Sequence, residues 1–116
     1  MCGIIGHISK NKLFSNDLYS RMLKRIKHRG PDAEGIYTCN KNKIAFGHVR
    51  LSIIDTKSES DQPMGIGGKQ IIFNGEIYNY KELKTKYLKN EDFNTSSDTE
   101  VILKLYIKYG IKKTIN

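Results

Sequence analysis

Cysteine is scarce in this sequence, and Cys2 and Cys39 are the only two. Two cysteines cannot form a disulfide framework or a four-thiolate zinc site. The three histidines, His7, His28 and His48, fit no metal-ligand spacing either. We therefore expect no structural metal ion and no bound cofactor in this chain.

Long apolar runs are also absent. No run approaches the ~18 residues that a membrane-spanning helix needs, and the N-terminus lacks the basic and apolar regions of a signal peptide. There are no repeats, linkers or low-complexity tracts. The 116 residues, 38% hydrophobic and 28% charged, therefore predict one cytoplasmic domain with a thin core and no membrane partner.

Arginine is rare although positive charge is in excess. The formal net charge is +8, from 20 basic and 12 acidic residues, but only Arg21, Arg25, Arg29 and Arg50 are arginines. Lysines scattered through short polar stretches typically form a solvated surface. Nucleic-acid binding would need basic and aromatic side chains clustered in one groove, so we expect no nucleic-acid partner; a salt-dependent gel shift would reveal one.

The first six residues, Met-Cys-Gly-Ile-Ile-Gly, contain the first candidate for catalysis. Once the initiator methionine is removed, Cys2 carries both a thiol and a free α-amine. Such an amine can act as the base for its own thiol at neutral pH. The structural alternative is that Cys2 is a small residue entering a buried strand, because residues 3–6 are typical of one.

The hydrophobic pattern predicts mixed α and β structure. Helices are predicted at residues 17–27, 81–88 and 98–109, the last beginning with a Ser97–Glu100 capping box and ending before Gly110. Strands are predicted at residues 3–6, 35–39 and 44–55. Residues 56–69 are predicted to be a loop, and their glycine-rich end lacks the spacing of a phosphate loop. Residues 28–32 predict only a turn that ends the first helix.

Three positions allow two interpretations each. Asn74-Gly75 lies between two apolar, aromatic-rich runs and predicts a hairpin turn, but an amide side chain and a glycine N–H can also stabilise an oxyanion. Arg50 lies in an apolar segment and needs either a protein carboxylate or a bound ligand carboxylate. Asp98 either complements a helix N-terminus or binds a substrate ammonium group.

Six segments together resemble the N-terminal glutaminase domain of the glutamine-hydrolysing asparagine synthetases, which are class II, N-terminal-nucleophile (Ntn) amidotransferases. They occur in the family's order and approximate spacing through nearly the whole chain. The segments are residues 1–6, 28–32 (His-Arg-Gly-Pro-Asp), 46–55 (Phe-Gly-His-Val-Arg-Leu-Ser-Ile-Ile-Asp), 62–64 (Gln-Pro-Met), 73–80 (Phe-Asn-Gly-Glu-Ile-Tyr-Asn-Tyr) and 97–102 (Ser-Asp-Thr-Glu-Val-Ile).

The resemblance implies a mechanism and a set of site residues. Cys2 would attack the carboxamide of L-glutamine, with its α-amine moving the proton, and water would then release glutamate from the thioester. Asn74 and Gly75 would hold the oxyanion as catalytic residues. Substrate binding would involve Arg50 at the α-carboxylate, Glu76 and Asp98 at the α-ammonium group, and the pocket residues Leu51, Ser52, Ile53, Ile54, Asn74 and Gly75.

The fold implied is α+β, the four-layer αββα sandwich of the Ntn hydrolases with antiparallel sheets. Residues 1–116 would form its N-terminal part, so the sandwich would be incomplete and would expose an apolar sheet face. The family's synthetase domain, which uses ATP and Mg²⁺ to activate aspartate, is not recognisable in this chain. The expected partners are L-glutamine and a synthetase domain or complementing chain, with homo-oligomerisation left open. The alternative is a catalytically silent fragment that acts only as a binding or complementation module.

Overall fold

The computed structural model describes residues 2–52 and 58–116. These residues form helices and two open antiparallel sheets, an α+β arrangement that agrees with the expected partial Ntn-type fold. Short 3₁₀ turns cover Lys27–Arg29 and Ser58–Ser60. The elements in chain order are β1 Gly3–Ile8, α1 Asn16–Ile26, β2 Ala33–Cys39, β3 Ile44–Arg50, β4 Met64–Ile66, β5 Lys69–Ile71, α2 Tyr80–Tyr87 and α3 Asp98–Thr114.

The first sheet has the order β1-β3-β2, with β3 in the centre. Its register pairs Gly3 with Val49 on one side and Glu34 with Val49 on the other. Helix α1 packs on one face of this sheet and buries Tyr19 and Leu23. The hydroxyl of Ser15 caps α1 by accepting a hydrogen bond from the Leu18 N–H, as Ser does at many helix N-termini.

The opposite face of the first sheet is covered only in part. His48 and Arg50 on this face are buried, and a Cβ on Gly35 would clash with the Gln62 carbonyl oxygen. Ile4 is 45% exposed and Ile8 is 78% exposed, and both alternate with the residues of β1 that face α1. An exposed apolar sheet face is what the resemblance predicts for part of a sandwich.

Helix α3 packs against α2 and against the hairpin of β4 and β5. Leu88, Val101 and Leu105 form the buried centre of this second unit, and the partly buried residues packed around them are Tyr80, Leu83 and Phe93. Gly110 has a φ of 75° and interrupts α3 near the predicted helix end, after which a last helical turn continues.

The hairpin predicted at Asn74-Gly75 is wrong. The hairpin lies upstream, between β4 and β5, and its turn contains Gly67 and Gly68 with φ values of 55° and 75°. Two consecutive residues at positive φ match the twist of a tight hairpin, and glycine adopts that conformation without steric cost. Residues 72–79 form no strand.

Several predicted boundaries also shift. The predicted strand 44–55 ends at Arg50, and its last three residues lie outside the described chain. Strand β2 begins at Ala33 rather than residue 35 because the Asp32 N–H already donates to the Arg50 carbonyl at 3.0 Å. Within the described residues, no helix is long and apolar enough to cross a membrane.

Gly30 provides a test of how residues 28–32 are attached to the sheet. A Cβ on Gly30 would lie 2.5 Å or less from backbone atoms of Val49 and Arg50. We expect Gly30→Ala to lower the free energy of unfolding by about 2 kcal/mol or more, because backbone atoms cannot move aside as side chains do. Chemical denaturation measures this change.

Gly6→Ala is the matched control, because a Cβ on Gly6 would meet nothing within 4 Å. Its effect should stay within about 1 kcal/mol. Equal effects of the two substitutions would contradict the close approach at Gly30.

Candidate active site

A cavity of about 330 Å³ lies where the first sheet, the loop before β4 and the N-terminus of α3 meet. Its volume is within the usual range for small-molecule sites. Its lining residues come from five separate stretches of the chain: Cys2, Arg50, Leu51, Ser60, Gln62, Phe73, Asn74, Gly75, Glu76, Tyr78, Ser97, Asp98 and Thr99.

Most of the site residues implied by the resemblance line this cavity. They are Cys2, Arg50, Leu51, Asn74, Gly75, Glu76 and Asp98. Ser52 is not among the lining residues in the described part of the chain, and its N–H instead donates to the Asp32 carboxylate at 2.7 Å. Ile53 and Ile54 lie outside the described residues. The chemical roles of all these residues remain predictions.

Contacts from Leu51 and Arg29 hold Cys2 at the cavity. The Leu51 N–H donates a hydrogen bond to the Cys2 Sγ at 3.4 Å. The Cys2 thiol in turn donates to the Leu51 carbonyl oxygen, at an S···O distance of 3.7 Å. The Arg29 Nε–H donates to the Cys2 carbonyl at 3.1 Å. The half-buried thiol therefore has a defined position at the edge of the sheet.

Residues 28–32 do more than end the first helix. Arg29 contacts the Cys2 backbone, and Gly30 lies directly against the end of β3. Asp32 donates its N–H to the Arg50 carbonyl and accepts a hydrogen bond from the Ser52 N–H. Sequence reasoning from spacing identified only the turn, because these contacts join segments about 20 or more positions apart in the chain.

Arg50 is almost completely buried and has a protein carboxylate as partner. Its Nη1 lies 2.6 Å from Asp61 Oδ1, and the Asp61 side chain is 37% exposed. Arg50 lines the cavity, whereas Asp61 does not. The carboxylate thus compensates the buried charge from outside the cavity wall, and Arg50 borders the cavity.

Asp98 begins α3 and faces the segment that contains Asn74 and Gly75. Its Oδ2 accepts a hydrogen bond from the Ile77 N–H at 2.9 Å. Ser97 caps the helix by accepting from the Thr99 N–H at 3.1 Å. Asp98 is therefore a buried carboxylate at both the positive helix end and the cavity, so its two interpretations are compatible.

The predicted capping box forms only in part. Glu100 does not return to the Ser97 N–H, which instead donates to the Thr95 hydroxyl at 3.2 Å. The fully buried Glu100 carboxylate accepts hydrogen bonds from the N–H groups of Asn94 and Thr95 and from the Thr95 hydroxyl. Glu100 thereby fixes the loop that leads into the cavity edge.

Six lining residues received no catalytic or substrate-binding role from the sequence. Five of them lie within the segments that resemble the family, so the sequence indicated their positions but not their contacts in the cavity. They are Gln62, Phe73, Tyr78, Ser97 and Thr99. Ser60 lies outside those segments, and its buried hydroxyl has no hydrogen-bond partner among the described residues. In residues 2–52 and 58–116, no group of three or more His, Cys, Asp or Glu residues is arranged to hold a metal ion.

His48 is a buried residue beside the site that spacing did not identify. It is fully buried in β3, and neither ring nitrogen has a hydrogen-bond partner within the described chain. Burial lowers the pKa of His48, while the nearby backbone of Phe73 acts in the opposite direction. The charge of Arg50 lowers the pKa further and that of Asp61 raises it. The imidazole is therefore neutral at pH 7.

This lowered pKa predicts a pH dependence of stability. Below about pH 6.5 the unfolded chain takes up a proton on His48 that the folded chain does not. The free energy of unfolding should therefore fall as the pH falls below 6.5, by up to ~1.4 kcal/mol per pH unit. Denaturation curves between pH 7.5 and 5.5 should show a weaker fall for His48→Gln. The control is His28→Gln, because His28 is exposed. If the free energy of unfolding depends on pH with equal slopes in wild type and His48→Gln, the prediction is contradicted.

Comparison with known proteins identifies a family and several relatives. A family profile described as "Glutamine amidotransferase domain" matches residues 1–116. The putative glutamine-hydrolysing asparagine synthetase 2 of Methanocaldococcus jannaschii is 46% identical over 128 residues, which cover 95% of this chain and 24% of that protein. The glutamine-hydrolysing asparagine synthetases 1 of Bacillus subtilis and Arabidopsis thaliana are 42% and 43% identical, covering 94% and 96% of this chain.

The chain thus spans only 18% to 24% of the length of these three relatives, and it corresponds to their N-terminal domain. The match over the whole chain, at these levels of identity, establishes the family. This chain belongs to the glutamine amidotransferase domain family.

Proposed function

We propose that this domain hydrolyses L-glutamine to glutamate and ammonia through a thioester on Cys2. The observation that supports the proposal is the cavity itself. It brings a thiol, a buried guanidinium, an Asn-Gly pair and a buried carboxylate to one space of about 330 Å³. These are the groups needed to attack a carboxamide and to bind both charged ends of an amino acid.

In the proposed first step, the Cys2 thiolate attacks the carboxamide carbon of glutamine. The Cys2 α-amine, exposed after removal of Met1, takes the thiol proton. The Asn74 amide and the Gly75 N–H stabilise the oxyanion, and the C–N bond then breaks as the amine returns the proton to the departing ammonia. Water attacks the γ-glutamyl thioester, and the thiol leaves as glutamate forms.

The charges of the cavity fit the zwitterionic end of glutamine. Arg50 is placed to bind the α-carboxylate, since a guanidinium forms two parallel hydrogen bonds with a carboxylate. Glu76 and Asp98 are placed to bind the α-ammonium group. Leu51 supplies backbone groups beside the thiol, through its contacts to Sγ.

The ammonia is proposed to serve ATP-dependent formation of asparagine from aspartate. The three relatives are named glutamine-hydrolysing asparagine synthetases, and this chain covers only their amidotransferase portion. The synthetase partner would be a further domain or a complementing chain, and ATP and Mg²⁺ would bind there.

A second candidate is a catalytically silent module that only binds a complementing chain. The exposed apolar residues Ile4 and Ile8 on the first sheet favour this candidate. The two candidates differ in whether Cys2 reacts when the chain is alone.

Covalent labelling tests the nucleophile. We expect a glutamine-mimicking diazoketone to add once to the purified protein, at Cys2, because the cavity orients that thiol toward the ligand. Intact mass measures both the adduct and the loss of Met1, and peptide mapping locates the adduct. Glutamate release should be lost in Cys2→Ala.

Cys39→Ala is the matched control, because Cys39 is the only other cysteine and does not line the cavity. It should label and hydrolyse glutamine like wild type. A protein that has lost Met1 but is neither labelled nor active would favour the silent module.

Replacing Arg50 tests the binding end of the cavity. We expect Arg50→Met to raise the KM for glutamine at least tenfold, or ~1.4 kcal/mol, since the α-carboxylate would lose its guanidinium partner. Steady-state glutaminase kinetics measure this change. The same substitution should weaken the binding of a glutamine analogue without the α-carboxylate much less than the binding of glutamine.

Arg21→Met serves as the control, because Arg21 pairs with Asp17 on the exposed surface of α1. Its KM should match that of wild type. If Arg50→Met leaves the KM unchanged, Arg50 does not bind the α-carboxylate.

A further inference from the structure

Gln62 uses both ends of its side-chain amide inside the cavity wall. Its Oε1 accepts a hydrogen bond from the Phe73 N–H at 2.6 Å, and its Nε2 donates to the Thr99 hydroxyl at 3.2 Å. The residue is only 8% exposed. A buried amide with both ends bonded holds its partners firmly, because losing either bond leaves a buried polar group unsatisfied.

The contacts of Gln62 close a ring around the Asn-Gly pair. Phe73 immediately precedes Asn74, and Ile77 follows two residues after Gly75. The Ile77 N–H donates to Asp98, the neighbour of Thr99 in α3. Residues 73–77 are thus anchored at one end by Gln62 and at the other by Asp98, and Gln62 is itself anchored to Thr99.

This ring matters because residues 73–77 belong to no helix or strand. Asn74 and Gly75 are exposed at the cavity, so neighbouring side chains do not enclose them. Donors to an oxyanion must be held within about 0.5 Å of the productive position, because they act by being oriented before the reaction. The anchors at Phe73 and Ile77 are the contacts that provide this orientation.

We propose that Gln62 is a positioning residue that orients Asn74 and Gly75 toward the oxyanion and connects them to the amino-acid end of the cavity. This inference rests on the proposed glutaminase function. Gln62 does not act on the substrate itself. It acts through the Phe73 N–H on the oxyanion side and through Thr99 on the side of Asp98.

A purely structural role for Gln62 makes a different prediction. If Gln62 only joins the loop before β4 to α3, its loss should lower the stability of the protein without a specific effect on turnover. If it positions the oxyanion donors, kcat should fall while glutamine still binds, because the oxyanion exists only in the transition state.

The test is Gln62→Met, which keeps a side chain of similar length but removes both hydrogen bonds. We expect kcat for glutamine hydrolysis to fall about tenfold or more and KM to change less than about twofold. Glutamine should protect Cys2 from diazoketone alkylation at the same concentrations as in wild type. The assays are run well below the unfolding temperature of each variant.

Gln70→Met is the matched control, because Gln70 is the other glutamine of the chain and does not line the cavity. Its kcat should stay within about twofold of wild type, since it removes an amide of the same size outside the ring. A similar fall in kcat for both glutamine variants would overturn the proposal.

Thr99→Val gives a second, independent test if Gln62→Met fails to fold. Valine has nearly the shape of threonine but cannot accept the hydrogen bond from Gln62 Nε2. We expect a smaller fall in kcat, about threefold, and recovery of turnover in Thr99→Ser, which retains the acceptor. The proposal is wrong if Thr99→Val and Thr99→Ser have equal kcat, or if Gln62→Met folds and changes only KM.

Failure of the proposed function would give a different result. In that case the wild-type protein would neither hydrolyse glutamine nor be alkylated at Cys2. An active wild type with an unchanged kcat in Gln62→Met would reject only the role of Gln62.

Discussion

The contact between residues 28–32 and the end of β3 is the one on which the cavity depends. Gly30 approaches the backbone of Val49 and Arg50 so closely that no side chain fits between them. This approach lets Arg29 reach the Cys2 carbonyl and lets Asp32 bind both the Arg50 carbonyl and the Ser52 N–H. The position of Cys2 thus depends on contacts with distant segments as well as on the pairing of the neighbouring Gly3 with Val49.

Buried charge is the second constraint on the site. Arg50, Asp98 and Glu100 are all buried, and each has a charged or backbone partner in the described chain. The three buried charges differ in whether they line the cavity. Glu100 pairs with Lys104 and with the loop at Asn94 and Thr95, whereas Arg50 and Asp98 line the cavity. The Asp61 carboxylate offsets the cost of burying the guanidinium, so Arg50 can line the cavity.

Two parts of the second unit show where sequence patterns mislead. Asn-Gly and Gly-Gly both favour tight turns, and the local sequence does not say which pair will be flanked by paired strands. In the structure, the turn of the hairpin contains Gly67 and Gly68. Residues 73–77 are consequently held by Gln62 and Asp98, as an irregular segment that can present Asn74 and Gly75. The capping box is likewise only half formed, because Glu100 accepts from Asn94 and Thr95 instead of from the Ser97 N–H.

The sequence by itself determined the family, the α+β class, most helix positions and the candidate residues Cys2, Arg50, Asn74 and Asp98. Local periodicity and short ordered segments carry that information, because both depend on neighbouring residues. Only the tertiary structure decided that these residues line one cavity, that Asp61 pairs with Arg50, and that Gln62 joins Phe73 to Thr99. Those contacts join residues 11 to 37 positions apart, and no local pattern encodes which distant partner a buried polar group will find.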